Sequence, residues 1–374
     1  MAGPVRLGII GVGRFGQFLM SAYTEMDEVE VVGICNRDEG KLKRIARKYG
    51  IKRVFTDYRK FLGSDDIDII VIATPPFMHA RIAIDAMKAG KHVMCEKPLA
   101  MSMKEAEKIR GALKSSGNLL TVDFVFRKNP LVEALKKIAR SRVLGDVQNV
   151  SLQNYANDSS LKEDHWFWDK KKSGGIWVEH GVHFFDMVRN ITGKGMIKAE
   201  SFSVRRRDGI EDHVAALCMY DGGMPAVFTH SFTKPYDIET TRFTVSFDKG
   251  TAVIKGWIPQ ELQIDGLVTG KESKALLKAL RGSGDISVSA KRFSGSTKGR
   301  GLTYRPAEMI SCRSVIRDSK EAVYRESVKG VMRELARAVS GKGKMSFGFE
   351  DGYDSLKDAL LAENNNAFTG RLKR

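Results

Sequence analysis

Cysteine is scarce in this chain: four among 374 residues, Cys35, Cys95, Cys218 and Cys312, widely spaced and with no C-x-x-C pair. That spacing argues against a disulfide framework or a cysteine-rich zinc site, and no metal is expected. Long apolar runs are missing too. No stretch approaches the roughly 20 residues that span a bilayer, so no membrane partner is expected. Residues 1–8 contain Arg6 and run straight into a strand-like pattern, with no signal-peptide core or cleavage site. A cytoplasmic protein is the expectation. Acidic residues run short of basic ones, 45 against 62, which leaves a formal charge of +17. The excess does not favour nucleic acid as a partner. Nine Lys/Arg against two acids fall within residues 270–305, and the remainder is scattered without interleaved aromatics that would stack on bases. A solvated basic insert at about 268–319 that attracts anionic ligands is the better reading.

What is present has a rhythm. Apolar strand-like runs at 5–10, 29–35, 67–73, 92–95 and 119–124 alternate with helical patterns at 15–23, 41–49, 80–89 and one opened by Ser102. Gly50 closes the second helix, and Ser102 with Glu105 three residues on matches a capping box. Strands alternating with helices at this spacing predict an α/β Rossmann domain, a doubly wound parallel sheet, over residues 1–125. The rhythm then changes. A helix at 131–140 leads into a polar loop and a second helix at about 176–191. From 197 to 266 strand follows strand, with turns at Asp208-Gly209, Asp221-Gly222-Gly223 and Lys249-Gly250. Residues 126–374 are therefore expected to form an α+β domain with a large, mostly antiparallel open sheet. A helix is expected at 273–280 inside the basic insert, and two more at 321–339 and 355–366. The exposed face of such a sheet often mediates contacts between copies, so a homo-oligomer, dimer or tetramer, is expected.

The turn after the first strand reads Gly11-Val12-Gly13-Arg14-Phe15-Gly16. Gly11 permits the tight turn, Gly13 lets backbone approach a pyrophosphate, and Gly16 lets helix and strand pack closely. The second strand ends Cys35-Asn36-Arg37-Asp38, so Asn36 stands where an acidic residue would bind the ribose of NAD. Arg37 can pair with a 2′-phosphate, which makes NADP the expected cofactor. NAD is the alternative, with Arg37 lying over adenine and Asp38 reaching the ribose.

Two further segments carry the chemistry. Thr74-Pro75-Pro76 with His79, and Cys95-Glu96-Lys97-Pro98, lie at the ends of the third and fourth expected strands, the edge where ligands bind in this architecture. Gly174-Gly175, Glu179, His180, Gly181, His183 and Asp186 form the second segment. In a helix, Glu179, His183 and Asp186 share one face. Together these segments resemble the glucose–fructose oxidoreductase / inositol dehydrogenase (Gfo/Idh/MocA) family, in order and over nearly the whole chain. The resemblance implies cofactor contacts from Gly11, Gly13, Arg14, Phe15 and Gly16, from Asn36 and Arg37, and from Thr74, Pro75, His79, Glu96 and Lys97. It also implies that Lys97 and His183 handle a proton as a hydroxyl becomes a carbonyl or the reverse, with hydride passing to or from the nicotinamide. An alkoxide-like transition state needs a nearby cation and a proton shuttle, which Lys and His provide. The chain departs from the family at Glu179, where Asp is usual, and at Ser173, often glycine. Glu179 keeps the carboxylate and is the third catalytic candidate, able to orient His183 or bind a substrate hydroxyl.

Substrate contacts are expected from the aromatic loop His165-Trp166-Phe167-Trp168, whose faces suit sugar rings, and from Arg127 and His180. The implied function is an NAD(P)-dependent oxidoreductase acting on a sugar, cyclitol or related polyol. A redox-neutral glycosidase or eliminase on the same fold, and a non-catalytic nucleotide-sensing protein, are the competing readings. Retention of both Lys97 and His183 speaks against the last.

Overall fold

The computed structural model describes residues 3–206 and 208–371. It divides into two compact units, each built from interleaved segments. The first takes Met1–Val125, Trp166–His183 and Arg325–Leu360, and the second Phe126–His165, Phe184–Tyr324 and Leu361–Arg374.

In the first unit, β1 (Val5–Ile10), β2 (Val29–Cys35), β3 (Arg53–Phe55), β4 (Ile69–Ile72), β5 (His92–Cys95) and β6 (Leu120–Val122) form one sheet. Its order is β3-β2-β1-β4-β5-β6 and every pairing is parallel, the doubly wound arrangement expected. The connecting helices are α1 (Arg14–Tyr23), α2 (Glu39–Tyr49), α3 (Tyr58–Leu62), α4 (His79–Lys88) and α5 (Met103–Ser116). Their ends follow the local sequence. Asp38 accepts the Lys41 amide at 2.8 Å to open α2, and Gly50 closes it at φ 68°. Ser102 caps α5 through the Glu105 amide at 3.3 Å, but the Glu105 carboxylate takes the Met101 amide, so the box is displaced by one residue. The pair β3 and α3 has no counterpart in the sequence reading, because three and five residues are too few to show a period. Yet Phe61 of α3 is fully buried, and Gly8 and Gly33 make room for it. A Cβ on either would lie 2.8 or 2.7 Å from its ring.

The second unit starts with α6 (Pro130–Ser141), whose first turn carries Pro130 and is capped by Asn129. β7 (Val147–Tyr155) follows. The short α7 (Lys170–Ser173) lies in the first unit, and α8 (Val182–Thr192) runs on from His183 into the second. The strands that come next are β8 (Met196–Arg205), β9 (Glu211–Tyr220), β10 (Met224–Ser231), β11 (Thr240–Phe247), β12 (Gly250–Lys255) and β13 (Glu261–Val268). After α9 (Gly270–Leu280) come β14 (Asp285–Arg292), a ribbon of β15 (Thr297–Gly299) and β16 (Leu302–Tyr304), and β17 (Glu308–Val315). The chain ends with α10 (Lys320–Val339), α11 (Phe349–Asn364) and β18 (Asn366–Arg371). Ten strands make one open sheet in the order β14-β17-β13-β12-β11-β7-β10-β9-β8-β18. Only β7–β10 and β8–β18 pair in parallel, so the sheet is mostly antiparallel, as expected.

Two expectations change here. The polar loop after α6 is in fact β7, a central strand between β11 and β10. Its amide-rich outer face hides the alternation of buried Val150, Leu152 and Asn154. The basic stretch 268–319 is no loose insert. Its two longest strands extend the large sheet at one edge, and β17 buries Ile310, Cys312 and Ser314 in alternation. The edge strand β14 is exposed at every position, so no hydrophobic period marks it. No helix among the described residues is long and apolar enough to cross a membrane.

Candidate active site

The β1–α1 turn is shaped by its glycines. Gly11 sits at φ +95°, in the left-handed region, and a Cβ there would fall 2.4 Å from the Ala73 carbonyl oxygen. A Cβ on Gly16 would fall 1.9 Å from the Gly11 oxygen, whereas one on Gly13 would meet nothing within 4 Å. Gly11 and Gly16 thus allow chain to pack on chain, while Gly13 faces open space. Gly13 is also the N-cap of α1, with no side-chain cap and no acid in the first turn, so the amides there are left for an anion. Across the sheet, the buried Thr74 hydroxyl has no hydrogen-bond partner. These features fit the pyrophosphate end of a dinucleotide. Arg14 and Arg37 are exposed, Phe15 is half-buried beside Phe18, and the Asn36 amide donates to Phe55 O at 3.0 Å.

Lys97 stands two residues beyond the end of β5, before a cis Lys97–Pro98 peptide. Its Nζ donates to Glu179 Oε1 at 2.6 Å and to the Glu179 carbonyl oxygen at 2.8 Å. The two side chains are only 14% and 11% exposed. Behind them His79 is fully buried, its ring nitrogens each 2.7 Å from a carbonyl oxygen, those of Pro98 and Thr74. Burial pushes the imidazole below its usual pKa, against the pull of the two carbonyls. His79 therefore ties the Thr74 and Pro98 segments together.

Glu179 reaches Lys97 from an unusual turn. A continuous helix over 176–191 was expected, but Trp177–Gly181 is a π turn ahead of α8. Gly174, at φ +85°, makes the approach possible, since a Cβ there would collide with Val178 at 2.6 Å. The wide turn takes Glu179 out of α-helical step with His183, and its carboxylate is engaged by Lys97. His183 is 4% exposed in the first turn of α8.

One buried acid escaped the sequence reading. Asp123 directly follows β6, 1% exposed, alongside Glu96, which directly follows β5 and is 9% exposed. The available signal was an acid closing an apolar run at the carboxyl end of a parallel strand, Leu119-Leu-Thr-Val-Asp123.

The expected substrate contacts fall in several places. Arg127 is buried in the second unit and grips Asp186 through three N–H···O contacts of 2.7, 2.9 and 3.1 Å. Trp166 and Trp168 flank Phe167 in one helical turn of the first unit, with ring centroids 6.4 and 4.8 Å from it. His165 and His180 are half-buried. The second unit also buries a cross-strand row not singled out from sequence. Thr241 donates to Asn154 Oδ1 at 2.7 Å, and Asn154 lies 3.3 Å from His230 Nδ1. Burial drives the His230 pKa down to about 3, so this imidazole is neutral. Among the described residues, no cluster of His, Cys, Asp and Glu is placed to hold a metal ion.

Known proteins place this architecture. Residues 5–124 match the model of an oxidoreductase family with an NAD-binding Rossmann fold, and residues 132–253 match the GFO/IDH/MocA C-terminal domain. A 4-carboxy-2-hydroxymuconate-6-semialdehyde dehydrogenase of a Sphingobium species is 29% identical over 72% of this chain and 82% of its own. In fold, the chain is similar to levoglucosan dehydrogenase solved with NADH, with a TM-score of 0.76, 20% identity and 97% of each chain covered. It is also similar to the WlbA dehydrogenase of Bordetella pertussis solved with NADH and UDP-GlcNAcA, with a TM-score of 0.79, 18% identity and 98% and 96% coverage. These findings correct the expectation of NADP. The matched Rossmann model is NAD-binding, and both solved neighbours hold NADH. The physical reason lies one residue beyond Arg37. The turn after β2 holds the Asp38 carboxylate, which caps α2 through the Lys41 amide, beside an exposed Arg37, and a carboxylate in that turn disfavours a 2′-phosphate.

Proposed function

The chain belongs to the Gfo/Idh/MocA family of oxidoreductases, and we propose that it moves a hydride between NAD and a hydroxyl- or carbonyl-bearing carbon of a sugar, cyclitol or related polyol. Gly11, Gly13 and Gly16, with the amides of α1 and the Thr74 hydroxyl, hold the dinucleotide. A bound nicotinamide would supply the hydride acceptor or donor at this site. The chain's own residues manage the proton and the charge. Lys97 presents an ammonium to the reacting oxygen and exchanges a proton with it at Nζ, while Glu179 fixes that ammonium in place. His183 is the second proton-handling group, and Trp166, Trp168 and His180 are the proposed substrate contacts. The observation that carries this reading is the buried Lys97–Glu179 pair, 2.6 Å apart, in the unit that also presents the open glycine turn.

The outer face of the large sheet exposes Phe202, Leu217, Met219 and Val227 on β8 to β10, which supports assembly with further copies of the chain. A panel of sugars and polyols with NAD, followed at the nicotinamide absorbance, tests the function. NADH formation with at least one of them is expected. A sugar product released with no net change in nicotinamide would replace the dehydrogenase by a redox-neutral reaction.

A further inference from the structure

β5 and β6 run side by side in register, Val93 with Leu120, Met94 with Thr121 and Cys95 with Val122. One step further on each strand stand Glu96 and Asp123. The ladder still holds there, since the Asp123 amide donates to Cys95 O and the Glu96 amide to Ile72 O, both at 2.9 Å. Neighbours in register on adjacent strands lie about 4.8 Å apart, so two carboxyl groups are carried next to each other. Both are buried, and neither Oε1 of Glu96 nor either Oδ of Asp123 has a hydrogen-bond partner outside the pair. A buried carboxylate without partners is strongly disfavoured, and two in contact are more so. One proton between them lets an oxygen of one carboxyl donate to an oxygen of the other and leaves a single negative charge.

We propose that Glu96 and Asp123 share one proton and act as a positioning pair that fixes the charge beside Lys97. The inference rests on the reading of Lys97 as the proton-handling group. Burial and mutual repulsion raise the pKa of Glu96, and burial raises that of Asp123, while Lys97 favours the ionised form of both. The other groups around the site do not compete. The Cys95 thiol is held neutral by burial and by Glu96, Glu179 is occupied by Lys97, and His79 is bound to two carbonyls. Burial raises Asp123 to about 7, so through the neutral range the pair gives up one proton, keeps the other and sets one negative charge beside Lys97.

Infrared difference spectroscopy on the purified enzyme tests the shared proton without relying on turnover. A protonated-carboxyl C=O stretch that persists at neutral pH and shifts in D2O is expected, and it should vanish in Asp123→Asn and in Glu96→Gln. Absence of that band from the wild-type enzyme overturns the shared proton and leaves the Lys97 reading standing. The charge is tested by the pH profile of kcat/KM. Asp123→Asn keeps one carboxylate with an amide donor beside it, so the limb set by Lys97 should stay in place. Glu96→Gln/Asp123→Asn removes the charge, and the limb should move down by about one unit or more. A limb that stays put in the double variant shows that the pair does not act on Lys97.

Discussion

Arg127→Met tests the account of the second unit's core. Asp186 is fully buried and Arg127 is 8% exposed, and the guanidinium supplies three contacts of 3.1 Å or less to one carboxylate. Removing the cation takes those three contacts from a carboxylate that solvent does not reach. Breaking one side of a buried pair typically costs about 3–5 kcal/mol. For a body of this size each kcal/mol moves the midpoint by about 2–4 °C, so a fall of roughly 6–20 °C is expected in a thermal melt followed by circular dichroism. Arg127→Met/Asp186→Leu, which removes both charges, should recover most of the loss. A single variant that melts with the wild-type protein at neutral pH refutes the reasoning. A double variant that melts normally but binds substrate poorly would return Arg127 to the substrate contacts.

The Rossmann half was legible because its signals are local and repeated. Strands buried on both faces appear as apolar runs, caps such as Asp38 and Ser102 are short-range, and the glycines mark a turn that few other residues can make. Legibility fell where the environment of a residue is set by distant chain. Nothing in the amide-rich sequence of β7 reveals that β10 and β11 will flank it, and nothing in β14 distinguishes an exposed edge strand from a loop. Lys97, Glu179 and His183 were singled out by motif as site candidates, but their geometry was not legible. The π turn redirects Glu179 to Lys97, a consequence of the Gly174–Val178 approach that residue spacing cannot encode. Arg127 shows the same limit from the other side. A buried cation and a substrate-binding cation look alike until Asp186, 59 residues away, is seen beneath it.

Lys97→Met should leave NAD binding nearly intact while turnover falls roughly 100- to 10,000-fold, as expected when a positioned acid/base group is lost. Near-normal turnover on any accepted polyol removes Lys97 from the mechanism. NADH should bind more tightly than NADPH by about tenfold or more, equivalent to roughly 1.4 kcal/mol, in fluorescence titrations of the wild-type protein. Equal affinities would show that Asp38 does not face the ribose end. The glycine turn gives the sharpest separation of binding from folding. Gly11→Ala forces a side chain into the left-handed region and against the Ala73 carbonyl at 2.4 Å, so its melting point should fall, the backbone alone costing about 1–2 kcal/mol. Gly13→Val meets no protein atom within 4 Å of its Cβ, so the fold should hold while NADH affinity drops on the order of tenfold. If Gly13→Val binds NADH like the wild-type protein, the open side of the turn is not where the pyrophosphate rests.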